Sequence, residues 1–194
     1  MALLAAALGA GLLTRNGQPR SSAAPGATTA EPAPLAPVNG TVSGQAIDGI
    51  TAGTQEQLAF HIHAHLAVYV NGQPHTVPYG VGVLPPLQLE ETPAGPFVVG
   101  GAGFYWLHTH DTTGVIHIES PVRRRYTLGE FFDVWGQPLG PYQVGPVHGP
   151  VTILVDGAVV PGDPRNVPLD AHSVIQLDVG TVVPFRPYTF APGL

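Results

Sequence analysis

The stretch Phe60-His-Ile-His-Ala-His-Leu-Ala-Val-Tyr-Val70, followed at once by Asn71-Gly72, decides the fold class. Its alternation is strict. Ile62, Ala64, Leu66, Val68 and Val70 fall on one side, and His61, His63, His65, Ala67 and Tyr69 on the other. Period two sends successive side chains to opposite faces, so this reads as a strand with one apolar, buried side. Asn-Gly is the strongest short hairpin signal, because a type I′ turn needs positive φ at both central residues. A return strand is expected over 75–83. The same logic gives a hairpin from Phe104 to Ser120 through Asp111-Thr112-Thr113-Gly114 and another from Val151 to Val160 through Asp156-Gly157. A last strand is expected over 174–179. One helix interrupts them: Thr127-Leu-Gly-Glu130 fits a capping box, Phe131, Phe132, Val134 and Trp135 supply an apolar face, and Gly136 ends it. The fold class is mainly β, an antiparallel sandwich or barrel built from hairpins, with one short helix.

Outward from that core the composition sets limits. The 194 residues include 25 Gly, 22 Pro, no Cys and a single Met, the first residue. Seven cationic side chains, all Arg, face 13 carboxylates, and nine histidines outnumber the permanent cations. An acidic chain without basic clusters is a poor nucleic-acid binder, since that affinity rests on Lys and Arg neutralising phosphates. Without Cys there is no disulfide framework, zinc finger, iron–sulfur cluster or thiolate nucleophile. Residues 1–13, MALLAAALGAGLL, are too short for a spanning helix, which needs roughly 20 apolar residues. They read as a signal-like or anchor segment, with Ser22-Ala-Ala24 suiting a cleavage site, and so predict an exported protein: periplasmic, cell-surface or secreted, with membrane attachment through that segment as one form. Residues 14–56 are rich in Pro, Ala, Gly and Thr without periodicity and read as a linker, leaving 57–194 for a β metal-binding domain.

Within 57–194 a faint echo links Leu66–Gly72 with Thr152–Gly157 and Val115–Glu119 with Val174–Asp178. Two related β-units, about 57–122 and 145–194, would account for it, and so would convergent hairpin patterning. If the echo reflects related units, Gln176 and Asp178 stand where the first half has His117 and Glu119, and only the first half would bind metal.

Six histidines lie in two windows, His61, His63, His65 and His108, His110, His117. Spacing i, i+2 on a strand aligns side chains on one face about 6–7 Å apart. If Asp111–Gly114 is a four-residue loop, His108 faces His117, and Trp106, His108, His110, His117 and Glu119 share a face. A three-residue loop with a bulge would send His117 to the other side. The first register separates polar from apolar residues and is preferred. Two histidines of one strand and a third across the ladder can hold one ion, with Glu119 as a fourth ligand or as the group that orients an imidazole. His61 and His65 stand about 13 Å apart by strand geometry, so only one or two of the first window can join that ion. A four-histidine mononuclear centre is the leading geometry and a dinuclear one the alternative. His75, His148 and His172 read as solvated or satisfied polar residues, Trp106 and Tyr69 as packing, and Arg123-Arg-Arg125 as a solvated connector.

Imidazole-rich sites without thiolate or thioether suit Cu(II) first and Zn(II) next, while carboxylate from Glu119 would shift the balance to Fe or Mn. The expected function is sequestration or delivery of a divalent metal. The alternative is a mononuclear metalloenzyme, an oxidoreductase or metal-assisted hydrolase with three histidines and an open position, in which Glu119 and Asp111 are candidate acid–base groups. An adhesion or scaffold domain follows only if the two histidine windows lie on opposite faces.

The pair HIHAHLAVYVNG and YWLHTHDTTGVIHIESP, followed by RRYTLGEFFDVWG, resembles a family of exported prokaryotic His-rich β-proteins without an assigned activity. The likeness covers most of the chain from Phe60 and implies an address and a motif, not a reaction. His108-Thr-His110 with Glu119 is similar to the first cupin motif, although the acid lies farther on and His117 intervenes. The segment Gly103–His110 also resembles an HxH segment of multicopper oxidases, whose Cys-containing copper segment is absent here.

Overall fold

Phe60–Val70 forms a single strand, with Ala64, Leu66 and Val68 buried in the core. The computed structural model describes residues 31–38 and 43–194, of which 32–194 make one unit. The apolar segment 1–13 lies outside the described residues, as do residues 14–30 and 39–42 of the Pro/Ala/Gly/Thr-rich stretch. In chain order the first strands are β1 (Ala52–Gly53), β2 (Phe60–Val70), β3 (Gln73–His75), β4 (Val83–Leu84), β5 (Gln88–Thr92), β6 (Gly95–Gly100), β7 (Gly103–Tyr105), β8 (Leu107–His108) and β9 (Val115–Ser120). Helix α1 (Leu128–Trp135) follows, then β10 (Leu139–Gly140), β11 (Gln143–Val144), β12 (Val147–His148), β13 (Val151–Val155), β14 (Ala158–Val159) and β15 (Val174–Val179).

The main sheet runs β14-β13-β15-β2-β9-β8, with β3 also on β2. β2 pairs antiparallel with β9 over 60–65 and with β3 over 68–70. Its contact with β15 is parallel, Val174 opposite His65 through Val179 opposite Val70, so the sheet is mixed where hairpins alone predicted an antiparallel one. Hairpin patterning reports only pairs joined by short turns, and β15 reaches β2 from a hundred residues away in sequence. Two further expectations are corrected. The return strand ends at His75, since Pro78 and Gly80 interrupt the ladder, and Val83-Leu84 joins β7 in a separate small sheet. Tyr105 lies in that sheet as well, so the second hairpin proper is β8 with β9.

The domain also starts earlier than Gln57. Leu35, Ala36 and Ile50 are buried in the main core, β1 pairs with β7, and Trp135 Nε1 donates to Pro37 O at 3.1 Å. The segment from Pro32 therefore belongs to the packed unit, not to a free linker. The capping box is formed as expected: Thr127 Oγ1 accepts from Glu130 N, Glu130 accepts from Thr127 N, and Gly136 closes the helix in the left-handed region. Leu128, Phe131, Phe132 and Trp135 share one core with Leu107, Ile116, Ile118, Ile175 and Leu177 from the apolar face of the sheet. Burial of each such side chain stabilises by about 1.5–3 kcal/mol. The arginine run serves this frame: Arg124 pairs with Glu130, Arg125 pairs with Asp170, and Arg123 lies over the Phe60 ring. Among the described residues no helix is long and apolar enough to cross a membrane.

Gln176 and Asp178 hold the chain that follows β15. Val183 N and Arg186 N donate to Asp178 and Gln176, and Gln176 Nε2 donates to Asp178, so this polar pair ties down the segment after β15.

The loop Asp111–Gly114 has the four-residue length that sets the register, and Gly114 is its critical residue. Its φ is 88°, and a Cβ there would stand 2.3 Å from Leu66 O. Gly114→Ala is expected to cost roughly 2–4 kcal/mol from the left-handed backbone and the clash together. Denaturant unfolding checks this; an unchanged midpoint would contradict the assigned loop geometry.

Candidate metal centre

The register places the polar residues in rows. His108 faces His117 across β8 and β9, and His117 faces His63 across β9 and β2, so three histidines from adjacent strands line up at one level. His61 faces Glu119 at the next level, while His110 stands just beyond β8. Opposite residues on neighbouring strands bring their Cβ atoms about 4.5–5.5 Å apart, which lets imidazoles converge. The rings of His117 and His63 stand 4.5 Å apart, as do those of His117 and His110.

Two overlapping groups result. His61, His63, His117 and Glu119 offer donor atoms all within 4.8 Å of one another, and so do His108, His110, His117 and Glu119. These are groups that can hold a metal ion. His61 and His63 approach through their Nε2 atoms at 3.0 Å, His108 and His110 through theirs at 3.1 Å.

The second pair has fixed tautomers. His108 Nδ1 lies 2.9 Å from Tyr105 O, and His110 Nδ1 lies 2.5 Å from Val98 O. A carbonyl only accepts, so each Nδ1 carries a proton and each Nε2 is turned inward, as a lone pair wherever the ring is neutral. Two lone pairs 3.1 Å apart repel unless a cation or proton sits between them. At metal–nitrogen distances of 2.0–2.1 Å that separation corresponds to an angle of about 95–102° at one ion. Carbonyl partners on the far ring nitrogen are the usual means of orienting metal-bound imidazole.

Burial keeps His63, His108 and His117 neutral. Desolvation, with neighbouring histidines adding to it, pushes His63 down to about 4, His108 to about 3 and His117 to about 2. Glu119 is 3% exposed; its Oε1 lies 3.1 Å from His61 Nε2 and 3.3 Å from His117 Nδ1, and its Oε2 is buried without a hydrogen-bond partner.

The two histidine windows share a face, which removes the condition for a bare scaffold domain. His61, His63, His108, His110, His117 and Glu119 are brought together. His65 is not: it faces Val115, its Nε2 is bonded to Thr113 O at 2.9 Å, and its ring stacks on Tyr188 at 3.9 Å. Asp111 is also elsewhere, accepting from Thr113 N within the loop. His65 and Asp111 thus lie outside both groups. His75, His148 and His172 belong to neither group, and His172 instead bonds Leu194 O and stacks on Phe190. Trp106 packs edge-on against Tyr126.

No family model, curated protein or solved structure matches this chain. The centre is therefore read from its own geometry.

Glu56 was missed by sequence reasoning, because it sits in the stretch without periodicity. Its Oε1 lies 3.4 Å from His110 Nε2, and burial, reinforced by the Glu119 charge, raises its carboxyl above the ordinary value. Phe97 stacks on His110 at 5.0 Å and Phe104 meets His108 edge-on at 5.3 Å, forming an aromatic roof carried by β6 and β7. A cleft of about 360 Å³ opens beside the centre, lined by Glu56, His61, Phe97, His117, Glu119 and Leu194 among others.

Proposed function

We propose that this is an exported metal-binding protein whose His/Glu centre takes divalent ions, Cu(II) by preference and Zn(II) next, for sequestration or delivery. The observation that carries the reading is the His108–His110 pair, two Nε2 atoms held 3.1 Å apart by rings whose Nδ1 atoms are both bonded to carbonyls. Such an arrangement calls for a proton or a cation between the two nitrogens, a place that a metal ion can take. Copper is favoured because the donor set is nitrogen-rich and the chain holds no Cys and no Met beyond the first residue. Export rests on the apolar segment 1–13 and on the likeness to exported β-proteins.

The test is metal content. Chelated and then reconstituted with Cu(II) or Zn(II) at pH 7.5, the full chain should retain at least one ion after removal of free metal. Absence of stoichiometric metal under both conditions would overturn the reading.

The cleft supports a second reading, a metalloenzyme. Glu56, with its raised carboxyl at 3.4 Å from His110, takes the acid–base role there. Turnover of a small ester or of O₂ with a reductant by the metal-loaded protein, lost in Glu56→Gln while metal content holds, separates this from simple binding.

A further inference from the structure

We propose that the centre is built for two ions bridged by the Glu119 carboxylate; this rests on the metal-binding reading above. Each of the two groups has its own pair of histidine Nε2 atoms at chelating distance, 3.0 Å for His61 with His63 and 3.1 Å for His108 with His110. The six residues satisfy the 4.8 Å limit as two overlapping sets and not as one. Ligands on opposite sides of a single ion are only about 4.1 Å apart at ordinary metal–nitrogen distances, so one ion cannot gather all six.

Glu119 supplies the link. Its Oε1 faces the first set, 3.1 Å from His61 Nε2 and 3.3 Å from His117 Nδ1. Its Oε2 faces the second set, 3.9 Å from His108 Nε2, and has no hydrogen-bond partner although it is buried. A buried carboxylate oxygen without a partner carries a desolvation cost that one ion on the Oε1 side leaves in place. A second ion on the Oε2 side removes it.

His117 Nδ1 lies beside Oε1, which assigns that ring to the first ion together with His61 and His63. The second ion then takes His108, His110, Glu119 Oε2 and, from the rim, Glu56, whose Oε1 is 3.4 Å from His110 Nε2. The carboxylates balance part of the added charge, and the cleft admits a water or hydroxide for the rest. Bridged ions of this kind stand about 3.5–4 Å apart. The two positions differ in chemistry: the first has three nitrogens and one oxygen, the second two of each. Cu(II) suits both, and the more oxygen-rich second position also admits Zn(II), Mn(II) or Fe(II).

The experiment is a Cu(II) titration of the metal-free full chain, with copper counted by elemental analysis and unpaired spins by EPR. Two coppers per chain are expected, with a spin count well below the copper count, because a carboxylate bridge couples the pair. Glu119→Gln should drop the stoichiometry to one and restore full spin intensity for the copper that remains. Glu56 is 35% exposed at the rim, so Glu56→Gln leaves the packed core untouched and should weaken the second ion by tenfold or more while the first keeps its affinity. One copper at saturation with full spin overturns the pair and leaves the metal-binding reading standing. Two coppers with full spin overturn the bridge, and no copper overturns both readings.

Discussion

His117→Ala is expected to weaken the tighter ion by on the order of a hundredfold or more, whereas His65→Gln and His172→Ala leave its affinity within about threefold. Losing only an outer partner of a ligand typically costs 10–100-fold, and His117 is itself a donor of the set. Its ring stands between those of His63 and His110 and is common to both candidate groups, so truncation removes a nitrogen and opens space between the remaining imidazoles. His65 is the informative control. It lies on the same strand face as His61 and His63, but its Nε2 is committed to Thr113 O and its ring to Tyr188. Glutamine can still donate to that carbonyl, so His65→Gln tests ligation with little change in the loop. Isothermal titration of Cu(II) into the three variants decides it. Equal losses in His117→Ala and His65→Gln would show that the strand's whole histidine row binds, against the geometry described here.

The contrast between His65 and its neighbours marks the limit of what a period can convey. Alternation places His61, His63 and His65 on one face, and the loop length of Asp111–Gly114 places His108 opposite His117. Both are local facts, readable from turn chemistry and spacing. The centre of the site along β2 depends instead on how β9 slides against it, with His117 meeting His63 and Val115 meeting His65. That register is a non-local pairing. The parallel contact of β15 with β2 was invisible for the same reason, although the strand itself, 174–179, was legible. The capping box of α1 could be read because its signal spans four residues. Leu35 and Ile50 could not be read as core, since single apolar residues among Pro, Gly and Thr carry no period. Glu56 was hidden in the same stretch. The hairpin of β5 and β6, which brings Phe97 and Val98 to the histidines, is obscured by its prolines and by a β5 exposed along its whole length. The metal-binding residue types were thus legible from sequence, while the roof over them and the rim carboxylate needed the fold.

The metal-free protein is expected to lose stability steeply as pH falls from about 6.5 toward 4. His63 and His65 are held down to about 4, His108 to about 3 and His117 to about 2, in each case chiefly because burial disfavours the charged ring. In the unfolded chain the same rings titrate near 6.5. Between 6.5 and 4 the unfolded state therefore binds protons that the native state refuses, so stability is fully present above 6.5 and declines as acid is added. Each such ring contributes a slope of about 1.4 kcal/mol per pH unit, so two of the four acting fully across two units remove about 5 kcal/mol, much of a typical domain's stability. Metal opposes this loss, since an ion that binds only the native state adds RT ln(1 + [L]/Kd). The added term fades as protons displace it from the imidazoles. Urea midpoints measured at pH 7.5, 6.0 and 5.0, with and without Cu(II), should fall with acid in both series and lie higher with metal at pH 7.5. His65→Gln, which removes one buried imidazole outside the centre, should flatten the metal-free slope by about one proton. A midpoint independent of pH in the metal-free protein would mean that these rings are already protonated in the native state, and the neutral, inward-facing lone pairs on which the metal centre depends would be lost with it.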